Sequence, residues 1–179
     1  MIKPPLKWAG GKRWLVSHLA PIWAEHTSRR YVEPFCGGLA VALGLQPKRA
    51  LLNDVNPHLI NFYRQLQHGL TQRIEMRYEE QLFYKHRARF NELGKNGGAK
   101  SEEAAELFFY LNRTCFNGLC RFNKSGEFNV PFGTYKTVRY DADFSRFPPV
   151  LRQWKFTNVD VEKVTIQKGD FVYADPPYD

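Results

Sequence analysis

Apolar residues along the chain gather in short runs closed by glycine, proline or acidic residues, the pattern of buried parallel strands alternating with helices. Tyr31-Val32 predicts a strand that ends at Glu33-Pro34, and Cys36-Gly37-Gly38 then turns into an apolar helix from Leu39 to Leu45, stopped by Pro47. Strand, glycine turn and helix open a βαβ unit. Ala50-Leu51-Leu52 predicts a second buried strand ending at Asn53-Asp54. Asn56-Pro57 offers an N-cap followed by proline at the first helical position, and Leu59, Ile60, Phe62, Tyr63 and Leu66 then fall at helical spacing before Gly69.

From residue 57 to about 140 the character changes. Helices are expected over Glu79 to Leu93 and over Glu102 to Arg113, the second capped by Ser101, with a loop at Gly94-Lys95-Asn96-Gly97-Gly98 between them. Phe122 to Val130, with Ser125-Gly126 in its middle, reads as a hairpin. No parallel-type strand is expected there, and the next buried strand is Phe171-Val172-Tyr173-Ala174. The pattern thus predicts an α/β core, residues 1–56 and 141–179, interrupted by a mainly helical insertion, 57–140, that contains the hairpin.

Composition narrows the class. A chain of 179 residues excludes two large independent domains, and 43% hydrophobic with 25% charged residues lies in the globular range. No stretch approaches the roughly 18 to 20 apolar residues needed to span a bilayer, and the first residues lack the apolar core of a signal peptide, so a soluble intracellular protein is expected. Cys36, Cys115 and Cys120 form no C-x-x-C pair, which favours reduced thiols over a disulfide framework or a zinc knuckle.

Lysine and arginine number 26 against 18 acids, a net charge of +8 suited to a polyanionic partner or to a plain solvated basic surface. Placement adds to this. Lys3, Lys7, Lys12 and Arg13 face no acid in the first thirteen residues, and Arg113, Arg121, Lys124, Lys136 and Arg139 are opposed by Glu127 alone between Asn112 and Arg139. That second segment interleaves Phe116, Phe122, Phe128, Phe132 and Tyr135, and aromatic faces beside cations suit bases and phosphates.

Three motifs carry candidate chemistry. Asp175-Pro176-Pro177-Tyr178 follows a strand, where open α/β sheets bind ligands. A carboxylate and a proline carbonyl make a two-acceptor site for an amino group, and Tyr178 adds a ring for a flat heterocycle; a turn closing the strand is the plain alternative. Glu33-Pro34-Phe35-Cys36-Gly37-Gly38 follows the first strand, and Asp54 ends the second, twenty-one residues after Glu33. Such an acid suits ribose hydroxyls, or caps the next helix. In Lys7-Trp8-Ala9-Gly10-Gly11-Lys12 the glycines admit close backbone approach, Trp8 offers a flat face and the lysines can meet carboxylate or phosphate; the alternative is a loosely ordered basic terminus.

In this order, K-W-A-G-G-K, E-P-F-x-G-G, N-D-x-N, a recognition insertion and D-P-P-Y, the chain resembles the Dam-like, D12 class DNA adenine-N6 methyltransferases, over essentially its whole length. The segments from Asn112 to Asn123 and from Gly126 to Gly133 are especially close. The resemblance implies that the α/β core is Rossmann-like, and it implies methyl transfer from S-adenosylmethionine, without a metal, to N6 of a flipped adenine in duplex DNA, with GATC as target. It implies that Trp8, Gly10, Lys12, Glu33, Phe35, Asp54 and Asp175 line the cofactor site. Asp175 and Pro176, within the Asp175-Pro176-Pro177-Tyr178 motif, would hold the adenine amino group while Tyr178 stacks on the base.

In the recognition segment the same likeness makes Phe116 the aromatic that enters the duplex and Asn117 a DNA-backbone contact. Leu119 and Pro131 would touch the thymine methyl, Arg121 would read a guanine, Lys7 would contact the first guanine, and Lys124 and Lys136 would meet phosphates. A cytoplasmic, nucleoid-associated enzyme of a bacterium or phage is implied, monomeric at full length, with a restriction endonuclease as a further partner the likeness allows.

Two departures stand out: Leu39 occupies a position where relatives often carry a third small residue, and the family continues beyond D-P-P-Y whereas this chain stops at Asp179. The expectation is therefore a core incomplete at its C-terminal side, poorly active or inactive and prone to self-association. Its alternative functions are an inactive DNA-binding remnant, or a same-fold enzyme acting on a small molecule or protein glutamine, which would not require the basic aromatic segment.

Overall fold

A computed structural model describes residues 2–138, 140 and 143–176. The chain opens with a helix, α1 (Val16–Ala24), then alternates strand and helix: β1 (Tyr31–Glu33), α2 (Ala40–Leu45), β2 (Ala50–Asn53) and α3 (Pro57–Gln67). Two longer helices follow, α4 (Glu80–Lys95) and α5 (Glu102–Thr114), and after a stretch of turns come α6 (Phe147–Leu151), β3 (Trp154–Thr157) and β4 (Phe171–Val172). The four strands form one parallel sheet in the order β3-β2-β1-β4.

The sheet order reverses beside β1. The chain steps outward from β1 through β2 to β3, then returns to the other side of β1 as β4. At such a reversal the crossovers leave in opposite directions, and a crevice opens at the carboxyl ends of the two strands. Both central strands are buried throughout, as their apolar sequences require.

Local chemistry explains the helix ends. The Asn56 side chain accepts from the N–H groups of His58 (3.0 Å) and Leu59 (3.1 Å), with Pro57 at the first helical position where no N–H is needed. Ser101 Oγ accepts from Ala104 N–H at 3.1 Å, and Glu102 and Glu103 lie in the first turn of α5, favourable to its dipole. Helix α3 packs against β3 and α6 and also against α5, so one apolar core runs from the sheet into the helical half.

The structure corrects several expectations. Strand β3 was not foreseen: Trp154 and Phe156 are buried while Lys155 between them is exposed, an alternating edge strand rather than an all-apolar run. β4 covers only Phe171–Val172 and is not a fully buried strand to Ala174, since Val172 remains 42% exposed. Helix α1 was missed because Pro21 interrupts its pattern and only Val16 and Trp23 are buried. Gly94 and Lys95 extend α4 instead of forming loop, which leaves Asn96-Gly97 as the connection to a short 3-10 turn. α2 begins at Ala40, after Leu39 in the left-handed region (φ 59°). The hairpin between Phe122 and Val130 is present but short, with Phe122 bridged to Phe128 and Gly126 N–H closing onto the Asn123 carbonyl.

Among the described residues no helix is long and apolar enough to cross a membrane. The three cysteines are free thiols.

Candidate functional site

A cleft of about 570 Å³ lies at the carboxyl ends of the strands. Five segments far apart in sequence line it: residues 8–12, 33–38 with 40–41, 53–55, 159–161, and 173 with 175–176. Trp8, Gly10, Lys12, Glu33, Phe35, Asp54, Asp175 and Pro176 are all among them. Pro177, Tyr178 and Arg139 fall outside the described residues.

The glycine turn after β1 exists for the sake of Trp8. A Cβ on Gly37 would lie 2.7 Å from Trp8 Nε1, and one on Gly38 would lie 2.7 Å from Trp8 Cβ, so only glycine lets the indole rest on the turn. Two side chains lock that turn in place: Asp54 Oδ2 accepts from Gly37 N–H at 3.0 Å, and the Tyr63 hydroxyl donates to the Gly37 carbonyl at 2.6 Å. Asp54 Oδ1 meanwhile accepts from Asn56 N–H at 2.9 Å. Its carboxylate thus ties the turn and also lines the cleft, and a carboxylate has about four acceptor positions, enough for a ligand hydroxyl as well.

Glu33 is 3% exposed and its Oε2 accepts from the Tyr31 hydroxyl at 2.9 Å. Burial pushes its carboxyl up to about 8, so at neutral pH it is largely the neutral acid. Burial also raises Asp54, against the opposing pull of the Asn56 and Gly37 N–H groups. Asp175 is held differently. Lys12 Nζ donates to both of its carboxylate oxygens, at 3.0 and 2.7 Å, with each side chain about one-fifth exposed. A nitrogen donor therefore already sits where the sequence placed an acceptor for an amino group.

Residues that sequence reasoning missed follow from the missed strand. Val159, Asp160 and Val161 line the cleft just beyond β3, and the buried Asn53 stitches that edge together. Asn53 Nδ2 donates to the carbonyls of Pro34 (3.1 Å) and Val159 (3.0 Å), while its Oδ1 accepts from Thr157 Oγ1 (2.9 Å) and Val159 N–H (3.1 Å). All four hydrogen-bonding positions of the amide are used. The alternation of Trp154 and Phe156 about Lys155 was the available signal.

Beside the cleft stands the basic aromatic segment. Phe116, Asn117, Leu119, Arg121, Lys124, Pro131 and Lys136 are exposed and Lys7 is half-buried. Phe116 is 49% exposed, a large apolar side chain left in water at the first position of a tight turn. Asn117 and Gly118 take φ values of 53° and 64°, and Leu119 N–H donates to the Phe116 carbonyl at 3.1 Å, a turn in which Asn-Gly is favoured because both central residues are left-handed. The Arg121 guanidinium is oriented by Asn129, with Nε 2.9 Å from its Oδ1. Lys7 Nζ lies 3.8 Å from the centre of the Tyr135 ring and donates to the Arg113 carbonyl at 3.3 Å; burial, then Arg113, lower its pKa.

This segment is tethered to the cleft at two points. Asn56, two residues beyond Asp54, reaches Cys120 Sγ at 3.3 Å, and Lys7, next to Trp8, is bound to Asn112 and packed against Gly118. A parallel α/β sheet with a cleft at its topological switch point, flanked by an exposed basic aromatic face, makes this a mixed α/β protein whose sheet is consistent with a methyltransferase core.

The sequence comparisons agree, and the chain belongs to the D12 class N6 adenine-specific DNA methyltransferase family, matched over residues 8–179. It is similar to the type II methyltransferase M1.LlaDCHI of Lactococcus lactis subsp. cremoris, 35% identical over 99% of this chain and 66% of the relative. It is also similar to a DNA adenine methylase of Haemophilus influenzae, 35% identical over 98% of this chain and 64% of the relative. The DNA N-6-adenine-methyltransferase of Escherichia phage P1 is 37% identical over 97% of this chain and 24% of its own length. The chain thus spans about two thirds of the first two and a quarter of the third.

Proposed function

We propose that this chain is the part of a DNA adenine methyltransferase that binds S-adenosylmethionine and reads its target, acting on the N6 of a flipped adenine in duplex GATC. The observation that carries the reading is the convergence of residues 8–12, 33–38, 53–55 and 173–176 on one cleft beside exposed Phe116 and Arg121.

The lining fits the cofactor. Asp54, Asp160 and Asp175 face the cleft with Lys12, beside the largely neutral Glu33, and a ligand bearing a sulfonium, an ammonium and one carboxylate suits that acidic excess. Trp8 and Phe35 offer flat faces, and Asp54 offers acceptors to ribose hydroxyls. When bound, the cofactor supplies a methyl group already activated by its sulfonium. The chain's own task is to present the nucleophile. Asp175 and the Pro176 carbonyl accept hydrogen bonds from the two N6 hydrogens, which turns the amine lone pair outward and stabilises the positive charge that grows on nitrogen, and the Asp175 carboxylate takes the proton that the methylated N6 must lose. Tyr178 stacks on the flipped base, and Phe116 fills the place it leaves. Lys12 occupies one acceptor position on each Asp175 oxygen, and the carboxylate, with about four positions, keeps room for an N6 hydrogen beside it.

Incubation with labelled S-adenosylmethionine and duplexes that contain or lack GATC tests this reading. Label should enter only the GATC duplex, and Asp175→Ala should lower turnover by about 100-fold or more while leaving DNA binding nearly unchanged. Near wild-type turnover in Asp175→Ala would refute the assigned role.

A further inference from the structure

Two asparagines hold backbone in the same way at opposite ends of the recognition segment. Asn112, 2% exposed in the last turn of α5, accepts from Lys7 N–H at 2.8 Å and donates to the Lys7 carbonyl at 2.8 Å and to the Gly118 carbonyl at 3.2 Å. Asn91 on α4 accepts from Phe128 N–H at 2.8 Å and donates to the Phe128 carbonyl at 3.1 Å. In each case a side-chain amide replaces the partner strand that an extended residue would otherwise need, since an amide carries the same donor and acceptor as a peptide group.

The two clasps serve different side chains. Asn112 fixes the backbone of Lys7 against the turn at Phe116–Gly118, so tightly that a Cβ on Gly118 would come within 2.5 Å of Lys7 Cβ. Asn91 fixes Phe128 on the return limb of the hairpin, and the adjacent Asn129 both pairs with Arg121 across the hairpin and orients its guanidinium. A long cationic side chain can discriminate a base only if its root is held, because a bidentate contact tolerates little displacement.

We infer that Asn112 and Asn91 are positioning residues for sequence discrimination, Asn112 acting through Lys7 and Asn91 through Arg121. This rests on the reading of the chain as a DNA adenine methyltransferase. Neither asparagine needs to touch DNA. Each sets where one reading side chain begins, and the two clasps share no hydrogen-bond partner, so the two readings are separable.

The test is competition binding by the whole chain, in the presence of S-adenosylhomocysteine, to GATC duplex and to duplexes with one base pair of the site replaced. Lys7→Ala and Arg121→Ala first establish which base pair each side chain reads. Asn112→Ala should then lose roughly tenfold of its discrimination at the pair that Lys7→Ala affects and keep it at the pair that Arg121→Ala affects, and Asn91→Ala should show the reverse. General loosening of the fold would instead lower discrimination at every pair alike, and that result, or no change in either variant, overturns the inference. Should Asn112→Ala fail to fold, the uncharged Asn112→Ser, whose single hydroxyl cannot bond Lys7 N–H and the Lys7 and Gly118 carbonyls together, should give the same one-sided profile. A wild-type chain with no preference among the duplexes overturns the functional reading, and this inference with it; a discriminating wild type with unchanged variants overturns the inference alone.

Discussion

Glu33 is the residue at which pH acts most directly on this fold. Its carboxyl titrates near 4.5 in an unfolded chain and near 8 in the buried site, so the folded state binds a proton that the unfolded state has lost across that interval. Folded-state pKa above unfolded means stability that is complete below about 4.5 and declines as pH rises towards 8. Glu33→Gln keeps an acceptor for the Tyr31 hydroxyl and cannot ionise. Its melting temperature should match the wild type near pH 5 and exceed it near pH 8; parallel curves over that range would refute the burial argument. Asn53 illustrates the opposite economy, an uncharged amide at the same edge with every hydrogen-bonding position satisfied, whose contribution should not vary with pH.

Among the elements, α2 shows how tightly the core side is packed. Its Gly44 faces α1, and a Cβ there would meet the two Val16 methyl carbons at 2.5 and 2.7 Å. Alanine is the better helix former by about 1 kcal/mol, but overpacking typically costs about 1–3 kcal/mol and a β-branched neighbour cannot swing aside. Gly44→Ala should therefore lower the urea midpoint without changing the slope, and a raised midpoint would show that α1 moves away freely. Leu39, at the start of the same helix, carries a related tension. Its left-handed backbone is unfavourable for a leucine, by roughly 1–2 kcal/mol, and its fully buried side chain offsets that cost.

At the scale of the whole molecule, the net charge of +8 is divided between roles. Lys124 and Lys136 are exposed in the basic aromatic segment, and under the proposed function they meet phosphates, whereas Arg121 is oriented by Asn129. Lys124→Ala and Lys136→Ala should each weaken GATC and scrambled duplex equally and lower the salt slope of binding by about 1. Arg121→Ala should instead cost about 1–3 kcal/mol on the GATC duplex alone. Titrations at several salt concentrations separate the two, and an equal loss on both duplexes in Arg121→Ala would remove its reading role. Elsewhere charge is structural: Arg30 grips both oxygens of Asp170 at 3.0 and 2.6 Å and the Thr165 carbonyl, which anchors the approach to β4.

The strands β1 and β2, the caps at Asn56 and Ser101, the glycine turn and the helices α4 and α5 were legible in the sequence because each rests on local chemistry: an apolar run, a capping side chain, a positive φ. The residues that line the cleft at the ends of β1 and β2 were legible as motifs, a glycine turn after a strand and an acid at a strand end. Strand β3 was not, because half its side chains face water and its identity depends on pairing with β2, a partner about a hundred residues away. Val159, Asp160 and Val161 were lost with it. The Lys12–Asp175 pair and the clasps of Asn112 and Asn91 are contacts at separations of 163, 105 and 37 residues. Local pattern determines which residues can cap, turn or bury, but which distant backbone group a side-chain amide will meet is decided only when the sheet and helices close on one another.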